Sequence, residues 1–419
     1  MTAEEDRELG DPLGECTSES LPFGVLLKHA NPSSEDVSDL ASRKESFGVA
    51  WVVLRLSQKT QRDAPPNLMR LNLPGCKANQ GGTFFPSPGK LSLLLHGLPQ
   101  SIEELTLGLS TVKKGALPVL CRFLQRVGGG EGEVEGIRCR TCRLKIFCFS
   151  TGITAPFRVP QKSETPTPED ELISLPEAKD IFQCLPASLE TLSFHGTILH
   201  SNAMEALQEA LLEGKFSGLR RLHLKGLGLS QANLDAFLGC LGGTEGIVSP
   251  SVCPSLEALE FEGNLFGPQS VQLLCTAVAQ STSLKEVSLA GCGIREASVQ
   301  ALADGILEGK LRQVEVLDLR RNIFGGFGAV VLSEALTTSL LPRLHTLVLQ
   351  GNGLVQKGAE VLVEALSSPD GPPLRAHFPF GRFPVLILVV FLSEKAHTQA
   401  ISARIENPIQ MCDLAIPPK

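Results

Sequence analysis

Between residues 189 and 354 apolar side chains return at a fixed interval, in six segments that share one eleven-residue frame. The segments are LETLSFHGTIL from Leu189, LRRLHLKGLGL from Leu219, LEALEFEGNLF from Leu256, LKEVSLAGCGI from Leu284, VEVLDLRRNIF from Val314 and LHTLVLQGNGL from Leu344. Each is apolar at positions 1, 4, 6 and 11, and successive starts lie 30, 37, 28, 30 and 30 residues apart. The period of two around positions 4 and 6 predicts a short strand whose positions 3, 5 and 7 face the opposite way. After each frame the apolar spacing changes to i, i+3, i+4, which predicts a helix with one buried stripe. GAVVLSEAL at 328–336 and GAEVLVEAL at 358–366 are nearly the same segment, and SVQLLCTAV at 270–278, SVQALADGI at 298–306 and NAMEALQEAL at 202–211 are variants of it. The longest unit carries its excess as GGTEGIVSP at 242–250, a loop between a helix and the next strand.

One strand–helix unit cannot bury its own apolar face, so such units stack and share a continuous core. Position 9 is occupied by Thr197, Leu227, Asn264, Cys292, Asn322 and Asn352. An asparagine there can hydrogen-bond backbone groups left orphaned where the chain leaves the strand, and Cys292 is small enough to be buried. The pattern LxxLxLxxN/CxL resembles the leucine-rich repeat, and units of 28–30 residues with a full helix resemble its ribonuclease-inhibitor subtype. That resemblance implies an α/β leucine-rich-repeat solenoid, a horseshoe with parallel strands on the concave face and helices on the convex one.

Fainter copies precede the strong block, LMRLNLPGCKA from Leu68 and IEELTLGLSTV from Ile102. The expected plan has an N-terminal segment at 1–60, degenerate repeats at 61–127, and an insertion at 128–175. The repeat array follows at 176–373, and a cap or irregular tail at 374–419. The insertion contains the Gly-rich GGGEGEVEG and the Pro-rich APFRVPQKSETPTPED, with one degraded strand in CRLKIFCFS. Residues 21–51 resemble a degenerate F-box through Leu21-Pro22, Val25-Leu26-Leu27, Glu35-Asp36-Val37, Leu40, Phe47 and Trp51. The other reading of the N-terminal segment is a helical cap over the first repeat.

Composition narrows the function classes. Apolar residues make up 42% and charged residues 20% of the 419, with net charge −7, no tyrosine and one tryptophan. A chain that neutralises many phosphates carries a basic surplus, and one that stacks bases carries more aromatics, so nucleic acid is not the expected partner. The N-terminus is acidic, without the basic start and apolar core of a signal peptide, and the longest apolar run, Val385–Leu392, is too short for a bilayer that needs about 20 residues. These features predict a soluble, monomeric, cytoplasmic or nuclear protein with reduced thiols and no membrane contact.

No catalytic motif, cofactor motif or metal-ligand spacing stands out, and a single CxxC at Cys139 and Cys142 is a weak metal signal. We therefore expect no enzyme, no cofactor and no metal. What remains is a protein partner bound on the concave face. Its charged and polar rows hold Arg221, His223 and Lys225, then Glu260 and Glu262, Glu286, Asp318, Arg320 with Arg321, and Gln350. Lys225 and Glu262 would pair across neighbouring strands. Ran GTPase-activating proteins share the repeat subtype, and Arg320-Arg321-Asn322 resembles a strand-end cluster that such a protein would use. Arg321 stands where the neighbouring strong units carry glycine.

Overall fold

In the computed structural model every strand that the frames predict is present, and each lies parallel to the next one in chain order within its unit. The structure describes residues 70–73, isolated positions between 88 and 98, and then 102–128, 144–150, 172–243 and 253–373, short gaps aside. These residues divide into two units, one within Met1–Leu241 and Val248–Leu256, the other within Gly242–Ile247 and Glu257–Lys419.

The first unit contains β1 (Arg70–Leu73), β2 (Glu104–Leu107), α1 (Leu117–Gly128), β3 (Ile146–Ser150), α2 (Leu175–Cys184), β4 (Thr191–His195), α3 (Met204–Leu212), β5 (Arg221–Lys225) and α4 (Gln231–Gly242). Its register sets Leu105, Phe147, Leu192 and Leu222 side by side, and Leu107, Phe149, Phe194 and Leu224 beside them. These are positions 4 and 6 of successive frames, all buried. Phenylalanines fill the space behind the strands. Phe149 stacks on Phe194 at 5.9 Å between ring centroids, and Phe182 meets Phe194 edge-on at 5.9 Å and Phe216 at 6.4 Å. At the start of α2 the Ser174 backbone N–H and hydroxyl both donate to the Glu177 carboxylate at 2.8 Å, which fixes the entry of that helix.

The strand expected in CRLKIFCFS, within the stretch 128–175, is β3, a regular member of the ladder between β2 and β4. Its segment LKIFCFS keeps the apolar residues at positions 1, 4 and 6, and those suffice for a strand even where the following helical signal is lost. Residues 1–60, the Cys139–Cys142 pair and the tail at 374–419 lie outside the described residues.

The second unit contains β6 (Ala258–Glu260), α5 (Pro268–Gln280), β7 (Glu286–Ser288), α6 (Glu296–Leu307), β8 (Val316–Asp318), α7 (Gly325–Leu336), β9 (Thr346–Val348) and α8 (Gln356–Leu366). Leu259, Val287, Leu317 and Leu347 are in register at position 4. Successive helices pack on one another through small residues. A Cβ placed on Gly305 of α6 would lie 2.6 Å from Cys275 Sγ of α5.

Behind these strands runs a ladder of position-9 side chains. Asn322 Nδ2 donates to Leu319 O of its own repeat at 2.8 Å and to Leu289 O of the preceding one at 2.8 Å, while its Oδ1 accepts from Ile294 N at 3.0 Å. Asn352 repeats the arrangement one step on, with Nδ2 to Leu349 O at 2.6 Å and to Leu319 O at 3.0 Å, and Oδ1 accepting from Asn322 N at 3.0 Å. Cys292 takes the same place as a thiol. It donates to Phe261 O at 3.3 Å and to Ala290 O at 3.6 Å, and the backbone N–H groups of Gly263 and Asn264 face its sulfur.

Position 8 turns the chain out of the strand with a positive φ. Gly196, Gly226, Gly263, Gly291 and Gly351 lie between 60° and 90° there. Arg321 sits in the same column at φ 58°, the one non-glycine residue in that region among the described residues. The turn keeps the N–H in the ladder: Gly263 N donates to Ala290 O at 2.9 Å, Gly291 N to Arg320 O at 2.8 Å, and Arg321 N to Gln350 O at 2.6 Å. The backbone geometry belongs to the repeat, and a side chain with a Cβ is strained in it. We predict that Arg321→Gly raises the stability of the folded chain by about 1 kcal/mol, read from the urea midpoint at unchanged slope.

Candidate functional site

Positions 3, 5 and 7 face away from the core, and in the second unit they gather acidic groups. Glu260 and Glu262 come from the β6 repeat, Glu286 from β7 and Asp318 from β8, with Glu286 exposed and the other three half-buried. Arg320 is the cation among them. Its Nε lies 3.1 Å from Asp318 Oδ2, and its backbone N–H donates to Asp318 Oδ1 at 3.0 Å. Burial pushes the Asp318 carboxyl above its ordinary range, the backbone and guanidinium of Arg320 oppose that rise, and the charges of Glu262 and Glu260 add to it. The face is net acidic even with Arg320 in place. Arg321 and Gln350 are exposed at the end of the strand face.

The first unit carries the opposite tendency. Arg221 is exposed on β5, with His223 and Lys225 half-buried along the same strand. His223 Nδ1 lies 3.1 Å from Ser193 Oγ of β4. Beside them Cys148 Sγ on β3 approaches His195 Nδ1 at 3.9 Å. A cysteine beside a histidine invites a nucleophilic reading, but the thiol is wrong for it. Burial pushes Cys148 up to about 12, with Glu104 adding to the rise and a hydrogen bond with Thr106 and the charge of Lys225 opposing it. Such a thiol holds its proton at neutral pH, so the pair is not built for attack.

The triplet at 320–322 separates into different duties. Arg320 is bound to Asp318 on the strand face, Arg321 is exposed at the turn, and Asn322 is buried in the ladder. No three His, Cys, Asp or Glu side chains converge as metal ligands among the described residues, and no helix there is long and apolar enough to cross a membrane.

Position 2 supplies a row that the sequence reading passed over. Lys145 Nζ lies 3.4 Å from Glu103 Oε2 in the first unit; in the second, Lys285 Nζ lies 3.5 Å and His345 Nε2 3.6 Å from Glu315. The signal was legible as alternating charge in one column of the frame. These exposed pairs contribute little to stability individually, but they edge the strand face with both signs of charge.

No protein-family model matches the chain. It is 32% identical to the ribonuclease inhibitor of Mus musculus over 161 residues, 38% of this chain and 33% of that protein, so the match spans about a third of the curated relative's length. Among solved structures, a leucine-rich repeat-containing protein LegL7 from Legionella pneumophila is 14% identical with a TM-score of 0.38, the alignment covering 75% of this chain and 93% of that one. The yeast complex of Rad7 and Elc1 gives 14% identity and a TM-score of 0.35 over 90% of this chain and 93% of the matched chain.

The raised carboxyl of Asp318 has a testable sign. The unfolded chain ionises first, so the native state loses relative stability as pH rises from the ordinary aspartate range through the folded-state value. Asp318→Asn removes that loss. Its stability relative to the parent protein rises between about pH 3 and pH 7 in urea titrations, and a difference independent of pH would contradict the assignment.

Proposed function

We propose that this leucine-rich-repeat protein, ribonuclease-inhibitor-like in its units, is a non-catalytic scaffold that binds another protein on its strand faces. The observation that carries the reading is the separation of charge. Glu260, Glu262, Glu286 and Asp318 make one strand face acidic around a single paired arginine, while Arg221, His223 and Lys225 make the other basic. Rows of this kind select a partner by complementarity and speed its approach, even where each charge adds little affinity. The similar mouse protein is by its name an inhibitor of an enzyme, which fits binding to protein as the mode of action.

The two other readings find less support. A GTPase activator working through Arg320-Arg321-Asn322 would have to share Asn322 with the ladder, where its amide is already engaged with three backbone groups. A cullin-ligase receptor would rest on the F-box-like segment within 1–60, and the charge rows do not bear on it. A large interface on an otherwise unreactive scaffold accounts for both strand faces without a reacting group.

Proximity labelling in cells tests the proposal. The parent protein is compared with Arg221→Glu/Lys225→Glu and with Glu260→Lys/Glu262→Lys/Glu286→Lys. We expect each reversal to remove its own subset of labelled proteins, by tenfold or more for the direct partner, in order of magnitude for several reversed charges. Identical protein lists from all three would overturn the strand-face reading.

A further inference from the structure

The turns that carry each strand of the second unit into its helix hold apolar side chains that the core does not use. Leu265, Ile323, Phe327 and Val355, from the β6, β8 and β9 repeats, are exposed over 58–71% of their surfaces. They are not scattered singly. Leu265 reaches across to the next repeat, where a Cβ on Gly293 would lie 3.0 Å from its Cδ2. Val355 reaches back over the start of α7, where a Cβ on Gly326 would lie 2.9 Å from its Cγ2, and Phe327 is the next residue along. Glycines at these two places leave room for the larger neighbour, so one apolar ridge runs along successive repeats. Cations border it. In the turns 263–269, 291–297, 321–327 and 351–357 the charged residues are Arg295, Arg321, Lys357 and Glu296, all exposed. None of the three cations has a carboxylate partner among the described residues. Arg321 also holds the left-handed backbone that the other position-8 residues meet with glycine, and its stem lies against Gly351, where a Cβ would be 3.5 Å from its Cα and 3.6 Å from its Cγ. A strained residue whose side chain adds nothing to the core points to a use outside the chain.

We propose that this ridge, anchored by Arg321, is the docking site for an acidic amphipathic helix of a partner protein, separate from the two strand faces. Unpartnered cations beside exposed apolar side chains fit an occupant that carries carboxylates beside apolar side chains. The backbone of these turns is already engaged: Phe266 N donates to Cys292 O, Gly291 N to Arg320 O, Arg321 N to Gln350 O, Ile323 N to Ile294 O and Gly325 N to Asn352 O. An added strand would find no free N–H groups there, whereas a helix satisfies its own backbone and meets only side chains. From the β6 repeat to the β9 repeat the ridge covers roughly 15 Å at about 4.8 Å per step, the length of a helix of about ten residues. Such a helix lays side chains i, i+3 or i+4 and i+7 on the ridge, and its flanking Asp or Glu residues meet Arg321, Arg295 and Lys357. An anionic bilayer fits less well, because a broad surface would also meet the acidic strand face formed by Glu260, Glu262, Glu286 and Asp318 of the same unit.

The test pans the full chain against a phage-displayed library of random peptides of about 15 residues, four helical turns. Enriched sequences are synthesised and titrated by fluorescence anisotropy. The proposal expects them to share apolar residues at i, i+3 or i+4 and i+7 with flanking Asp or Glu, and to gain helical circular dichroism on binding. Arg321→Gly and Phe327→Ser should each weaken binding about tenfold or more. Because Arg321→Gly relieves backbone strain, its loss of binding would come with a gain in stability, which unfolding cannot imitate. Three results would overturn the proposal: no enrichment, enriched peptides without acidic residues, or peptides that bind both variants as tightly as the parent protein. Vesicles of phosphatidylcholine and phosphatidylserine form the second arm. Sedimentation of the parent protein with them, lost in both variants, would put a membrane on the ridge and also overturn the proposal.

Discussion

The side chain at position 9 is the contact on which the second unit depends. A parallel strand that ends and turns away leaves carbonyls pointing into the core, and each unsatisfied one costs about 1–3 kcal/mol. Asn322 answers this with one amide, donating to the Leu319 and Leu289 carbonyls and accepting from Ile294 N. Because one of the two carbonyls belongs to the preceding repeat, the bond closes the turn and also joins repeat to repeat. Asn352 hands the pattern on by accepting from Asn322 N. Cys292 shows the minimum that the place requires, a small buried group that donates to Phe261 O and accepts weakly through sulfur.

Once the ladder holds position 9, the neighbouring positions have fixed roles. Position 8 must take a positive φ to swing the chain out while its N–H still reaches the next repeat, as Gly263, Gly291 and Arg321 do. Positions 4 and 6 must lie in the core, so 3, 5 and 7 must lie on the other face. Polar residues there do not touch the core, which leaves the scaffold indifferent to their chemistry. The acidic row of Glu260, Glu262, Glu286 and Asp318 therefore costs the fold little, and burial of Asp318 is relieved in part by Arg320 two residues on.

Much of this was legible before any coordinates. Strict apolar spacing gave the strands and helices of the strong block, because stacked repeats reward the same residue at the same place each time. The role of Asn264, Asn322 and Asn352 followed from their column alone. β3 was harder, since Gly-rich and Pro-rich neighbours hide the helix that should accompany it, although Leu144, Phe147 and Phe149 keep the frame. Arg321 was visible as an odd residue in a glycine column, but its left-handed backbone is a statement about φ that only geometry makes.

The position-9 ladder is tested most directly by comparing Asn322→Ala with Asn322→Cys in urea unfolding. Alanine strands two carbonyls and one N–H in the core and leaves a void, so the loss should reach about 3 kcal/mol or more. Cysteine keeps a donor and a weak acceptor in the same space, as at Cys292, and should lose roughly half as much. Equal losses of under about 1 kcal/mol for both would show that the ladder does not hold the repeats together.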